Sequence, residues 1–314
     1  MTSPPLVQAD KVETRYFMLP ESYLKKLRCP DCLEEDLSPD GGVRSSQGRE
    51  GRLICRRCGR TLELRRGILH ALPRDVAEAV ESNRQYYNTL SARERNLLER
   101  RAATRNHRNK MAVVLEALGL SESGTPRSVL ELGTGFGAHG AALQRKGHDY
   151  AGLDISPGLL EQAAERFPAL GSALLVAGDA TRTPFRDGRF EGVFCVATLH
   201  HLPHPQAGIR EAVRVLAPGG RFCFLEPKRF YPTQLAQYLR HRSTEVSAMK
   251  VSPASVARWL GEAGMADSRV TYAIFTPNGP ARLTPLWDGL DRLCRRARWL
   301  HPLSVMFCVY GCKP

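Results

Sequence analysis

Apolar positions divide the chain into regions of different rhythm. From Arg74 to Leu120 they recur at helical spacing: Val76, Ala79 and Val80, then Leu97 and Leu98, then Met111, Val114, Leu115 and Leu118, with Gly119 as a stop. Two or three helices are predicted there. After Thr125-Pro126 the pattern becomes short apolar runs separated by amphipathic segments, as βα units around a mainly parallel sheet require. The runs are Ser128 to Glu131, Asp149 to Asp154, Ala173 to Ala177, Gly192 to Ala197 and Arg221 to Glu226. Two later ones, Ser268 to Phe275 and Val305 to Tyr310, bring the predicted count to seven strands, with an Arg-rich helical stretch from Pro285 to Trp299 between them. The expected organisation is a polar lead-in (1–27), a cysteine module (28–73) closed by Leu72-Pro73, a helical lid or linker (74–120) and an α/β domain (121–314) with caps inserted at 228–251 and 277–304.

Composition changes this picture little. The 314 residues suffice for one large unit and one small one, and 42% hydrophobic against 25% charged is the balance of a folded globular chain. The N-terminal stretch mixes charges and prolines without an apolar core, unlike a secretory signal, and no run approaches the roughly 18 apolar residues of a membrane span. A cytoplasmic location is the expectation. The formal charge of +13 favours polyanions, RNA among them, or an anionic membrane surface as partners; a dispersed arginine bias explains it equally well.

The chemistry is concentrated where Val129-Leu130-Glu131-Leu132 runs into Gly133-Thr134-Gly135-Phe136-Gly137. Glycines at a strand-to-helix turn permit positive φ and let a ligand approach the backbone. The spacing of Gly135, Gly137 and Gly140 also satisfies a nicotinamide or flavin fingerprint. Asp154 ends the second strand about 20 residues on, where a carboxylate can accept both ribose hydroxyls, and Asp179 follows the third strand, within reach of an adenine amino group. Thr198-Leu199-His200-His201-Leu202-Pro203 follows the fourth strand and Leu216-Ala217-Pro218-Gly219-Gly220 turns into the fifth.

Together, from about Ser128 to Glu226, these motifs resemble the class I S-adenosylmethionine-dependent methyltransferases of the group with E-x-G-x-G-x-G, an L-H-H-L-like fourth motif and an L-x-P-G-G turn. The resemblance implies a doubly wound Rossmann-like sheet. It implies that Glu131, Gly133, Thr134, Gly135 and Gly137 hold the methionine part of S-adenosylmethionine, Asp154 and Ile155 the ribose and adenine edge, and Asp179 and Ala180 the adenine, with Ala197 beneath the sulfonium. Methyl transfer from a sulfonium depends chiefly on in-line positioning, so a base is optional; His200, His201, His204 and Glu226 fall at the right edge of the sheet for one. The D/N-P-P-Y motif of amino-methylating nucleic-acid enzymes does not follow the fourth strand.

Cys29-Pro30-Asp31-Cys32 and Cys55-Arg56-Arg57-Cys58-Gly59 are paired C-x-x-C knuckles at zinc-ribbon spacing. Four thiolates make a closed, structural site. The ribbon resembles the small zinc-ribbon activator subunits of methyltransferases, here fused to the catalytic domain. Its arginines, Arg52, Arg56, Arg57, Arg60, Arg65 and Arg66, form a solvated face or a phosphate grip.

Three segments are placed to wall an acceptor site: Tyr86-Tyr87; Lys228 to Lys250, with Arg229, Phe230, Tyr231, Tyr238, Arg240, His241 and Arg242; and Leu286 to Trp299, a helix packed on the sheet or a basic amphipathic surface. Aromatic walls point to a small or lipid-like acceptor. The alternatives are an RNA or protein methyltransferase gripping its substrate with the ribbon, a non-catalytic cofactor-binding adapter, and an oxidoreductase.

Overall fold

The computed structural model describes residues 19–40, 50–93, 105–120, 125–232, 235, 238–239, 247–265, 267–274 and 283–314. Leu97, Leu98, Arg240, His241, Arg242 and Phe275 lie outside them, as do 1–18 of the lead-in and 277–282 of the second cap.

The cysteine module is an antiparallel meander. A short helix α1 (Glu21–Leu24) leads into strands β1 (Leu37–Pro39), β2 (Gly51–Cys55), β3 (Thr61–Arg65) and β4 (Ile68–His70). In β3 the period-2 pattern buries Leu62 and Leu64 and exposes Thr61 and Arg65. Two helices follow, α2 (Glu78–Arg93) and α3 (Arg105–Leu118). Then come β5 (Ser128–Leu132), α4 (Ala138–Arg145), β6 (Asp149–Asp154), α5 (Pro157–Arg166), β7 (Leu174–Ala177), β8 (Phe190–Val196), α6 (Pro205–Val215) and β9 (Leu216–Pro227). The chain closes with α7 (Pro253–Glu262), β10 (Ser268–Ala273), α8 (Thr284–Arg296) and β11 (Met306–Cys312). Each expected strand of the α/β domain is present.

The sheet has eleven strands, not seven, in the order β1-β2-β3-β4-β7-β6-β5-β8-β9-β11-β10. The difference comes from the ribbon: Ile68, Leu69 and His70 of β4 pair in parallel with Leu175, Val176 and Ala177 of β7. The edge that β7 would otherwise expose is therefore covered by the same chain. Parallel pairing runs unbroken from β4 to β9, and β11 joins β9 antiparallel. Both sheet faces are covered, which accounts for the continuous apolar runs of β7 and β8. One core sets Leu130, Val193 and Phe224 against Ile209 and Leu260; the other sets Val129, Phe194 and Leu225 against Val114 and Leu160.

The end of the lead-in packs rather than remaining a polar tail. Leu27 is fully buried and bridges to Phe185, and the Lys26 ammonium bonds Ser128 and Asp149. Ribbon and α/β domain are also joined by Arg186, which donates to the Leu27 carbonyl at 2.6 Å and pairs with Glu35 at 2.9 Å. On the opposite face Arg105 of α3 bonds Asp288 and Asp291 of α8, each at 2.6 Å. Arg105 and Asp291 are buried, so α8 is held by a desolvated charge pair whose disruption would strand one partner.

Candidate active site and cysteine cluster

Strand order reverses between β5 and β8, the adjacent parallel strands from which the chain departs in opposite directions. Crevices at the carboxyl ends of strands at such a point are where doubly wound sheets bind ligands. The glycine turn lies there. Gly133 has φ 77°, and a Cβ on it would lie 2.2 Å from the Thr198 hydroxyl, so the turn and the loop after β8 approach as closely as they do only with glycine at 133. Gly135, φ 52°, faces open space and donates its N–H to Asp154 Oδ2 at 2.7 Å.

Asp154 and Asp179 come to the same edge. Asp154 also accepts from Ser156 N at 2.9 Å; burial pushes its carboxyl up to about 6, against the opposing pull of the Ser156 and Gly135 N–H groups. Asp179 is buried and caps its own loop, accepting from Thr181 N at 2.7 Å and Thr181 Oγ1 at 2.8 Å. Ile155 and Ala180 adjoin these acids in the chain. Ala197 directly follows β8 and takes φ 55°, a strained value for a residue with a Cβ; its N–H donates to Leu225 O at 2.8 Å.

Glu131 is fully buried and both its oxygens have partners in the protein. The Tyr150 hydroxyl donates to Oε2 at 2.6 Å, and His139 Nδ1 lies 2.8 Å from Oε1. Tyr150 reaches it by lying over Gly140, where any Cβ would strike its ring. The His139 ring stacks on His107 of α3 at 4.5 Å, and burial first, then the charge of His139, drives the His107 imidazole down to about 4. His139 Nε2 is buried and has no hydrogen-bond partner among the described residues.

On the other side of the crevice Glu226, at the end of β9, is fully buried. Oε2 is 2.7 Å from His200 Nδ1, while Oε1 accepts from the N–H groups of Thr198 at 2.8 Å and Leu199 at 2.9 Å. Of the four residues expected to act on the acceptor, Glu226 therefore serves the loop that carries His200 and His201. His200 is buried, and the His201 ring is 3.9 Å from it and 5.5 Å from Tyr87. His204 sits ahead of α6, lining an open hollow with Lys250, Arg258 and Trp259.

Helix α2 straps this edge. Asn83 donates to the His201 carbonyl at 2.8 Å, and Asn88 Oδ1 accepts from Ser156 Oγ at 2.6 Å. It thus spans from the loop after β8 to the loop after β6, with the Tyr87 ring 5.5 Å from His201 and Tyr86 edge-on to Tyr87 at 5.2 Å. Tyr150, His139, His107, Asn83 and Asn88 were not singled out in the sequence; of these, only His139, two residues past the last glycine of the turn, had a position that could have drawn notice.

The four cysteines converge. Cys29, Cys32, Cys55 and Cys58 place their sulfurs within 4.8 Å of one another, with Cys29–Cys58 at 3.6 Å and Cys32–Cys55 at 3.5 Å. These separations are too long for disulfides and close to the roughly 3.8 Å edge of a tetrahedron with Zn–S near 2.3 Å, so the donor set fits zinc. The knuckles share one geometry: Leu33 N donates to Cys29 O at 3.0 Å and Gly59 N to Cys55 O at 2.8 Å, both at positive φ. Between the first pair, Asp31 offers its carbonyl to Arg182, three residues beyond Asp179. Several ribbon arginines are engaged within the protein, Arg60 with Asp31, Arg65 with Glu63 and Arg66 with Glu161, which favours the structural over the phosphate-grip reading.

A methyltransferase domain family matches residues 130–224. The demethylmenaquinone methyltransferase of Beutenbergia cavernae is 38% identical over 112 residues, 36% of this chain and 44% of that protein. Its counterpart in Mycolicibacterium vanbaalenii is 33% identical over 163 residues, 48% of this chain and 68% of that protein. The chain spans about half the length of the curated relatives it matches, from 40% to 55% for four of them. A chain from the complex between the Trm112 methyltransferase activator of Haloferax volcanii and a methyltransferase is 20% identical with a TM-score of 0.52, covering 73% of this chain and 97% of that one, a likeness of fold. With a third of positions shared across two thirds of a methyltransferase, and a methyltransferase domain model matching 130–224, the chain belongs to the S-adenosylmethionine-dependent methyltransferases.

Proposed function

We propose that the chain methylates a hydroquinone or related phenolic ring bearing a lipid tail. The supporting observation is that relatives from several organisms, 27–38% identical over 112 to 176 residues, are named for quinone or hydroquinone acceptors: demethylmenaquinone, and 2-methyl-6-phytyl-1,4-hydroquinone in Synechocystis. S-adenosylmethionine supplies the methyl group: its bond to sulfur breaks as the bond to the acceptor forms, and the electron pair leaves with sulfur.

The residues have distinct parts in this reading. Asp154 accepts the ribose hydroxyls, Asp179 and Ala180 border the adenine, and Gly133, Thr134 and Gly135 present backbone to the methionine part. Glu131 acts through His139, holding it so that the buried Nε2 meets the methionine carboxylate. Glu226 fixes His200, and His201 beneath Tyr87 takes the ring hydroxyl proton as the acceptor becomes nucleophilic. Tyr86-Tyr87 and the strap helix exclude water. Zinc at the four cysteines holds the ribbon and, through Asp31 and Arg182, the adenine loop.

The test is to incubate the protein with methyl-labelled S-adenosylmethionine and total extract, with Asp154→Ala as control. Label in the organic-soluble fraction on a quinol supports the reading. Label in RNA or protein overturns it.

A further inference from the structure

Four large apolar side chains near the C-terminus lie exposed: Leu286 (56%), Leu293 (61%), Trp299 (78%) and Leu303 (61%). Leu286 and Leu293 are seven residues apart on α8, two turns, and so share a face. Trp299 and Leu303 belong to the 3₁₀ segment Arg298–Leu303 that follows. The opposite side of α8 is committed, since Asp288 and Asp291 are held by Arg105. Arg292, Arg296 and Arg298 flank the apolar face, are exposed, and enter no ion pair among the described residues. Arg295, turned toward α3, pairs with Glu116 instead.

The position of this face matters as much as its composition. The 3₁₀ segment enters β11 beside the carboxyl end of β9: Lys228 N donates to Val305 O at 2.9 Å, and its ammonium donates to Pro302 O at 2.6 Å. Lys228 is two residues past Glu226, which holds His200. Trp299 and Leu303 are thus on the same edge of the sheet as the methyl-transfer crevice. Phe230, 66% exposed on the loop leaving β9, extends the apolar surface along that edge.

We propose that this face docks the enzyme on an anionic lipid bilayer, with the tryptophan and leucines entering the headgroup boundary and the arginines meeting lipid phosphates. An apolar stripe edged by exposed arginines complements such a surface, and an exposed tryptophan is suited to the interface between water and acyl chains. The docking orients the crevice toward the membrane, where a lipid-tailed acceptor resides. It deepens the proposed function and rests on it only for that last step.

The test has two arms. In the first, the full-length protein is floated with vesicles of phosphatidylcholine alone or with phosphatidylglycerol, at low and high salt. Binding at least tenfold greater to the anionic vesicles, reduced by salt, is expected. Leu293→Ser with Trp299→Ala should lower it tenfold or more, and Arg292→Glu with Arg296→Glu should remove the preference for anionic lipid, both leaving S-adenosylhomocysteine binding unchanged. Binding to neither vesicle type, equal binding to both, variants that bind vesicles like the parent, or binding of an RNA homopolymer that alone depends on these residues would overturn the docking.

In the second arm methylation is measured with a tailless hydroquinone in solution and a tailed one in vesicles. The docking variants should lose activity only toward the second. No methylation of either acceptor, with vesicle binding intact, overturns the acceptor class and leaves the docking standing; methylation of both at parental rates by the variants overturns the docking alone.

Discussion

Glu226 holds His200 beside the crevice, Oε2 to Nδ1 at 2.7 Å, while its other oxygen gathers the N–H groups of Thr198 and Leu199. One buried carboxylate thus shapes the loop after β8 and orients the imidazole it carries. Glu226→Ala leaves two backbone donors and a buried ring nitrogen without their acceptor, and a loss on the order of 3 kcal/mol is expected by denaturant unfolding. Glu226→Gln, which keeps an acceptor for Thr198 and Leu199, should lose less stability but lower kcat more than KM, because His200 loses its anionic partner.

With Asp154 accepting the ribose hydroxyls, as proposed, cofactor binding should be sensitive to pH. The carboxyl's folded-state value of about 6 lies above the ordinary 3.8, so the ligand-free fold holds this proton more tightly than the unfolded chain does. The buried charge therefore opposes folding at full strength above pH 6, and that opposition fades as pH falls from 6 toward 4. Asp154→Asn should stabilise the ligand-free protein at pH 8 by at most about 3 kcal/mol, with the difference shrinking below pH 6. Ribose hydroxyls need the ionised form, so S-adenosylhomocysteine affinity, followed by calorimetry, should fall about tenfold per pH unit below 6 in the parent and stay flat in the variant.

Tyr150→Phe removes the hydroxyl that donates to Glu131 Oε2 at 2.6 Å and leaves one oxygen of a fully buried carboxylate unpaired. The expected loss is about 1–3 kcal/mol in unfolding free energy. Weakened S-adenosylhomocysteine binding should accompany it, because Glu131 also positions His139. Unchanged affinity would separate the carboxylate from the cofactor.

On the proposed reading, removing zinc from the four cysteines should be felt in the loop that carries Asp179. Asp31, between two cysteines, takes the Arg182 guanidinium on its carbonyl and Arg74 N on its carboxylate at 3.0 Å. With the thiolates released these contacts go too. Chelation, or Cys32→Ser, is expected to lower Tm and weaken S-adenosylhomocysteine binding on the order of tenfold, about 1.4 kcal/mol. Arg182→Ala should reproduce the affinity loss with zinc retained.

What the chain's own order determined about this protein is local. The strands of the α/β domain, the glycine turn, Asp154 at the end of β6 and the paired cysteine knuckles are each set within a few residues, where side-chain period, permitted φ and ligand spacing act directly. The tertiary structure decided what depends on segments distant in sequence. Parallel pairing of β4 with β7 enlarges seven strands to eleven across more than 100 intervening residues, a choice that β4, three residues long, does not announce. In the same way the pairing of Glu131 with Tyr150 and His139, and the bonds of Asn83 and Asn88 that join α2, read as a lid or linker, to the loops after β8 and β6, depend on the folded chain. A hydrophobic pattern specifies which face is buried, whereas the partner that buries it emerges only when the whole chain has packed.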